Sequence, residues 1–164
     1  MEPELIESAH HTEISIAPIS WLDPVTAAAV DDIAQMLIRH HPEVQAIILF
    51  GSVARHQERP LDDPKPSDVD LLLVLDPSAV NPSATRLTHT QELALRATIG
   101  EADYRHRSPR TINVLFMNRD LAGWDSLFIE NVARDSIVIW TRGDVPPKLT
   151  NTERSPVSPQ KPSL

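Results

Sequence analysis

The sequence contains no cysteine, and this absence excludes disulfide bonds, thiolate metal sites and cysteine nucleophiles. Aromatic residues are scarce, at 4% of the chain, whereas the hydrophobic content of 41% is sufficient for an ordinary core. We therefore expect that core to consist of Leu, Ile, Val and Ala side chains. A length of 164 residues fits one domain with tails.

Long apolar runs and an excess of basic charge are also missing. No apolar run reaches the roughly 20 residues that a membrane-spanning helix needs, and residues 1–11 lack the basic-then-apolar pattern of a signal peptide. A cytoplasmic protein is therefore expected. The formal net charge of -8 argues against nonspecific binding of DNA or RNA, because an acidic surface repels phosphate backbones. It does not exclude a nucleotide, whose phosphates can be bound through a magnesium ion.

Composition divides the chain into three parts. Residues 1–20 show no clear period and are expected to form a loose N-terminal arm. Residues 144–164 hold five prolines among Ser, Thr and Lys, and cannot bury enough apolar surface to offset the entropy lost on ordering. We expect them to form a disordered tail, which leaves residues 21–143 as the folded domain.

Apolar periodicity predicts helices alternating with strands in the folded part. Asp23-Pro24 is a good helix start, and the helix should end near His40-His41-Pro42. Short β-branched apolar runs predict four strands, over residues 44–50, 69–75, 111–117 and 137–140. Further helices are predicted over residues 53–57, 81–99 (ended by Gly100) and 121–132. This order indicates an α/β or α+β domain with a small sheet covered by helices, although the strand directions do not follow from it.

Two carboxylates mark the first chemically informative position. Asp68 and Asp70 are two residues apart at the start of an apolar strand, so they should project from the same face. Like charges at the mouth of a buried strand repel each other and lose hydration, which is costly unless a cation lies between them. Oxygen ligands of this kind suit magnesium. Taken alone, the pair also fits turn chemistry after Pro66 followed by an exposed strand residue.

Gly51-Ser52 marks the second position, directly after the first predicted strand. Glycine lets the backbone approach a phosphate, the N–H groups at a helix start favour negative charge, and the Ser52 hydroxyl can add a hydrogen bond. Alone, this dipeptide also fits an ordinary strand-to-helix turn. A phosphate cradle and a metal-binding pair at the ends of two adjacent strands form a joint signal, which favours a metal–nucleotide site.

The segment from Val44 to Leu75 resembles the minimal nucleotidyltransferases of the DNA polymerase-β superfamily. Their pattern is an apolar strand, Gly-Ser-x-x-Arg, a loop and Ser-Asp-apolar-Asp-apolar. It is matched here by Gly51-Ser52-Val53-Ala54-Arg55 and Ser67-Asp68-Val69-Asp70-Leu71. The similarity extends at the level of pattern over residues 25–141, and it implies a polymerase-β-like fold with a mixed sheet.

The resemblance also implies an activity. A nucleoside monophosphate group, with AMP as the first candidate, passes from a magnesium-bound nucleoside triphosphate such as ATP to an acceptor, and pyrophosphate is released. By position, Gly51 and Ser52 hold the triphosphate and Asp68 and Asp70 bind magnesium, while Arg55 either neutralises phosphate charge or forms a surface salt bridge. In the minimal subfamily the acceptor is often a HEPN-type ribonuclease toxin, for which the transferase serves as antitoxin. An aminoglycoside-like small molecule is the alternative acceptor, ranked lower because no second domain is obvious in the sequence.

Three departures from the family pattern bear on activity. Asn113 stands in the third strand where the family carries a third carboxylate, and an amide neither accepts a proton at neutral pH nor binds magnesium well. Turnover is therefore expected to be weakened, altered or lost, and an inactive nucleotide- or partner-binding module is the rival hypothesis. A substitute acid would have to come from Asp103, Asp120 or Glu130. His56 replaces a frequent glycine, and the loop over residues 53–67 is long; it either shapes the acceptor site or is an inert insertion.

Overall fold

The computed structural model describes residues 14–150. The helices of this part are α1 (Pro24–His40), α2 (Gly51–Ala54), α3 (His89–His106) and α4 (Ser126–Asp135), with single 3-10 turns at Pro77–Ala79 and Pro147–Leu149. The strands are β1 (Val44–Phe50), β2 (Val69–Leu75), β3 (Ile112–Asn118) and β4 (Ile137–Thr141). No helix of the described part is long and apolar enough to cross a membrane.

The four strands form one mixed sheet in the order β3-β2-β1-β4. β1 is antiparallel to both β2 and β4, whereas β2 and β3 are parallel. Each of the four predicted strands lies within one residue of its predicted limits, because a short β-branched run is a strong local signal. The small mixed sheet expected from the sequence is confirmed.

The sheet is covered on both faces, which explains why β1 and β2 are apolar almost throughout. Alternate residues of β2 lie in two separate clusters: Leu71 and Leu73 pack with α1 and α3, whereas Leu72 and Val74 pack with α4 and the last 3-10 turn. All the buried hydrophobic side chains of the described part are Ile, Leu, Val, Ala or Met. The aliphatic core expected from the composition is therefore confirmed, with Met117 as its one addition.

Helix α1 begins and ends as predicted. The side chain of Asp23 accepts a hydrogen bond from the Thr26 N–H at 3.0 Å, and proline occupies the first helical position. Helix α3 corrects the prediction of a helix over residues 81–99. The helix begins instead at His89, where a capping box between Thr88 and Gln91 caps its N-terminus. Gly100 lies inside the helix rather than ending it.

Two other helix limits also differ from expectation. α4 begins after Asp125, whose carboxylate caps it, so the predicted start at residue 121 is wrong. The short helix expected over residues 53–57 is the single turn α2, which starts at Gly51 itself.

The ends of the described part contact the domain. The Ala17 N–H donates to the Ile139 carbonyl at 2.9 Å, and Ile19 is buried, although both were expected in the loose arm. Leu149, expected in the disordered tail, is also buried, against α4 and the sheet. These apolar side chains extend the folded part beyond residues 21–143. The expectations for residues 1–13 and 151–164 lie outside the described residues.

Candidate active site

Three strand ends meet at one end of the sheet. In the antiparallel pairing of β1 with β2, Phe50 lies opposite Asp70. In the parallel pairing of β2 with β3, Asp70 lies opposite Asn113. The bend that follows β1 is therefore brought beside the beginnings of β2 and β3, where the Asp-x-Asp pair and Asn113 lie.

Gly51 forms the bend and contacts one of the two acids. Its φ of +82° lies in the left-handed region that favours glycine. A Cβ atom added to Gly51 would overlap Asp70 Oδ2 and would lie 3.2 Å from Asp70 Cγ. The Asp70 carboxylate thus rests directly against the Gly51 backbone.

Asn113 connects the two acids. Its Nδ2 donates to Asp68 Oδ2 at 3.0 Å and to Asp70 Oδ1 at 3.2 Å. Asp68 directly precedes β2 and is exposed, whereas Asp70 lies within the strand and is half-buried. The two carboxylates nevertheless face the same amide, so they lie on the same side of the sheet, as their spacing predicts.

The electrostatics of this cluster favour a bound cation. Burial disfavours the charged form of Asp70 and raises the pKa of its carboxyl above the ordinary value. The Asn113 hydrogen bond and the Arg55 charge oppose this shift of the pKa, and the Asp68 charge adds to it. A cation beside both carboxylates would relieve their repulsion and replace the lost hydration.

The donor set fits magnesium, which takes one or two protein carboxylates and completes its shell with water and phosphate oxygens. Asp68 and Asp70 are the residues that could hold it. Within residues 14–150, no group of three or more His, Asp and Glu side chains is placed to hold a metal. Asp103, Asp120 and Glu130 therefore do not replace the missing third acid.

Arg55 follows α2 and folds back over it. Its N–H donates to the carbonyls of Gly51 and Ser52, each at 3.2 Å. Its Nε donates to Gln57 Oε1 at 3.1 Å, and its Nη1 lies 4.0 Å from Asp135 at the end of α4. The Arg55 side chain thus pairs with an acid at the surface, and its charge also opposes the rise in the pKa of Asp70 that burial causes.

Helix α2 is too short for a substantial helix dipole, since it has one turn. Phosphate binding at Gly51-Ser52 would therefore depend on the N–H groups that the first turn of a helix leaves without intrahelical partners.

His56 occupies the position where the family often has glycine, and its φ of 59° explains that preference. Here the strained backbone is accompanied by a ring stack: the His56 ring lies 3.9 Å from the Trp21 ring, at 17° between planes. The Trp21 Nε1–H also donates to the Val53 carbonyl at 2.8 Å. Trp21 therefore braces the segment that carries the bend.

Arg110 is an element of the site region that no local sequence pattern indicates. It is buried two residues before β3 and three residues before Asn113, and it donates to the Ser67 carbonyl directly before Asp68. Another partner, Asp23, is 87 residues away in the sequence. The only available signal is a lone arginine at the mouth of a predicted strand.

The chain is similar to one known family and to several solved structures. Residues 32–144 match the family described as Polymerase beta, Nucleotidyltransferase. Similar solved structures include a toxin–antitoxin with AMP-PNP, which has 18% identity and a TM-score of 0.47 over 75% of this chain and 82% of that one. Another is the toxin–antitoxin MntA-HepT, with 14% identity and a TM-score of 0.43 over 76% of this chain and 80% of that one. No curated protein matches the sequence.

Proposed function

Because this chain belongs to the polymerase-β nucleotidyltransferase family, we propose that it transfers a nucleoside monophosphate group, AMP in first place, from a magnesium-bound nucleoside triphosphate to an acceptor hydroxyl. One observation carries the proposal: the Asp70 carboxylate lies against the Gly51 bend and shares the Asn113 amide with Asp68. A phosphate on that bend and a cation at those carboxylates would be immediate neighbours.

Each residue then has a defined role. Asp68 and Asp70 hold magnesium, which supplies charge neutralisation at the phosphates when bound. The backbone at Gly51 and the hydroxyl of Ser52 hold the triphosphate, and Arg55 adds positive charge. The contribution of the chain is alignment and electrostatic stabilisation rather than covalent catalysis.

The reaction replaces a phosphoanhydride bond of the triphosphate by a phosphoester bond to the acceptor. The acceptor oxygen forms a bond to the α-phosphorus, the bond from that phosphorus to the bridging oxygen breaks, and pyrophosphate departs with the electron pair. The acceptor hydroxyl loses its proton to solvent water. Asn113 cannot take that proton at neutral pH, which is the chemical reason to expect slow turnover.

A label-transfer assay tests this proposal. The protein is incubated with magnesium and α-labelled ATP, alone and with candidate acceptors, and label on the acceptor is measured. Asp70→Asn should abolish transfer and weaken magnesium-dependent ATP binding. Asp31→Asn, which changes an exposed aspartate of α1, is the matched control and should behave as the native chain. Unchanged magnesium–ATP affinity in an Asp68→Asn/Asp70→Asn double variant would show that the site is misassigned.

A nucleotide-binding module without turnover is the second candidate, and the position of Asn113 favours it. Its amide donates to both carboxylates, at the place where the family pattern has a third acid. If the native chain binds magnesium–ATP without transferring label, and Asn113→Asp creates transfer, the binding module is the correct description. Transfer by the native chain that Asp68→Asn abolishes supports the enzyme.

For the acceptor, we propose a protein, specifically a HEPN-type ribonuclease toxin that the transferase silences. The support is the resemblance of the Gly-Ser-x-x-Arg and Asp-x-Asp motifs to the minimal subfamily, together with the exposure of Asp68 and Asn113, which leaves the site open to a large acceptor. Intact-mass measurement of a candidate toxin after incubation should show the addition of one AMP group. Labelling of an aminoglycoside but of no protein would favour the small-molecule alternative.

A further inference from the structure

Arg110 is the most deeply buried charged side chain near the candidate site, with 5% of its surface exposed. A buried guanidinium is tolerated only where its charge and its donors are paired. Its Nε donates to Asp23 Oδ1 at 2.9 Å, and its Nη1 donates to the carbonyls of Arg59 and Ser67, each at 2.8 Å. The planar fork of one side chain thus joins three separate parts of the chain.

The two carbonyls close the long loop that precedes Asp68. The Ser67 hydroxyl, which is buried, accepts a hydrogen bond from the Arg59 N–H at 2.7 Å. Residues 60–66 therefore form a loop whose two ends are fastened to each other and to Arg110. These hydrogen bonds fix the base of the long loop, whatever its tip contacts.

The loop base determines where Asp68 stands. Asp68 directly precedes β2, and the Val69 N–H donates to the carbonyl of Thr111, the residue before β3, at 2.9 Å. On its other side Asp68 follows Ser67, whose carbonyl is bound by Arg110. The backbone on both sides of Asp68 is therefore held in place: Arg110 binds the Ser67 carbonyl, and the carbonyl of the next residue, Thr111, accepts from the Val69 N–H.

We propose that Arg110 is a positioning residue for the magnesium site: by fixing Ser67 it holds the Asp68 carboxylate where it can share a cation with Asp70. The inference rests on the proposed function, because it assigns a purpose to the arrangement of those two acids. Arg110 acts through Ser67 and does not itself contact either carboxylate. Lysine cannot replace it, since a single ammonium group does not reproduce the fork that reaches all three partners.

The test measures metal binding directly. Mn²⁺ serves as the probe for the magnesium site, and free Mn²⁺ is followed by electron paramagnetic resonance without added nucleotide, because ATP itself binds Mn²⁺. Arg110→Lys should weaken Mn²⁺ binding by about tenfold, the lower end of the loss seen when groups that orient metal ligands are changed. Arg39→Lys is the matched control, because Arg39 is exposed on α1 and donates to Gln35, one turn earlier in the same helix.

A purely structural role gives a different result. If Arg110→Lys lowers the urea midpoint but its folded form binds Mn²⁺ as tightly as the native chain, the inference is overturned. Should Arg110→Lys not fold, the same titration on Asp23→Asn decides, because that change weakens the clamp from its far end; a several-fold loss of Mn²⁺ affinity supports the inference and native affinity overturns it. If the Asp68→Asn/Asp70→Asn variant binds Mn²⁺ with native affinity, the proposed function itself is wrong, whatever the result for Arg110→Lys.

Discussion

At Gly51, two independent constraints exclude a side chain. The φ of +82° strains any L-residue with a Cβ atom, and that Cβ would also overlap Asp70 Oδ2. Gly51→Ala should therefore lower the free energy of unfolding by about 1–3 kcal/mol and displace the Asp70 carboxylate. We expect magnesium-dependent ATP binding to be lost, as measured by calorimetric titration of the folded variant.

Gly123 separates the two effects of this substitution. It has the same φ of +82°, but an added Cβ would meet no atom within 4 Å. Gly123→Ala should thus show the backbone strain alone, with native ATP binding. Equal ATP affinity in Gly51→Ala and Gly123→Ala would contradict the contact between the bend and Asp70.

The local sequence indicates some residues of the candidate site and not others. Gly51 and Asp70 stand out because each ends or interrupts an apolar run, and Asp68 stands out because it is a second carboxylate two residues before Asp70. Their convergence depends on strand pairing, which the sequence suggests but does not determine. Arg110 was not predictable, because its significance comes from Asp23 and Ser67, which only the folded chain brings to it.

At the scale of elements, α3 shows how competing cap signals are decided. Asn81-Pro82-Ser83 reads as a helix start, but there the Asn81 side chain accepts from Ser83 within a turn. Thr88 and Gln91 satisfy each other's backbone N–H groups and begin the helix instead. Strands and α1 were predictable from contiguous apolar or capping patterns, whereas α3 required a choice between two plausible starts.

Gly100 provides a test of this correction. It lies inside α3, exposed, and an added Cβ would meet nothing within 4 Å. Gly100→Ala should therefore raise the free energy of unfolding by about 0.5–1 kcal/mol, since alanine loses less backbone entropy in a helix. Urea denaturation followed by circular dichroism measures the change. A loss of stability would mean that α3 ends near Gly100 after all.

At the scale of the whole molecule, the site exists because of the sheet topology. β1 runs antiparallel to β2, and β3 runs parallel to β2. The end of β1 and the beginnings of β2 and β3 therefore lie at the same end of the sheet. Any other combination of directions would put either Gly51 or Asn113 at the opposite end of the sheet from Asp70. Helices α1 and α3 pack on one face of the sheet and α4 on the other, so the strand directions belong to an arrangement of the whole domain that no local pattern encodes.

The packing of α1 on α3 contains an ion-pair cluster that should make stability depend on pH. Asp32 of α1 accepts from Arg105 Nη2 at 2.6 Å and lies 3.0 Å from His106 Nε2, both in α3. Burial alone would raise the pKa of Asp32, but the hydrogen bonds and charges of Arg105 and His106 outweigh it and hold the pKa below the ordinary value of 3.8. A carboxyl whose pKa is lowered in the folded chain stabilises the fold at pH values above its unfolded-state pKa. This contribution disappears as the pH falls through its folded-state pKa.

Asp32→Asn should therefore be less stable than the native chain at pH 6, and the difference in free energy of unfolding should shrink steadily below about pH 4. Urea denaturation of both chains between pH 6 and pH 3 measures this difference. Asp31→Asn controls for the loss of one negative charge, since Asp31 is exposed on the same helix. Because Asp32 is a quarter exposed, solvent screening limits the effect, and added salt should reduce it further. A difference that persists unchanged at pH 3 would show that Asp32 acts through packing rather than through its charge.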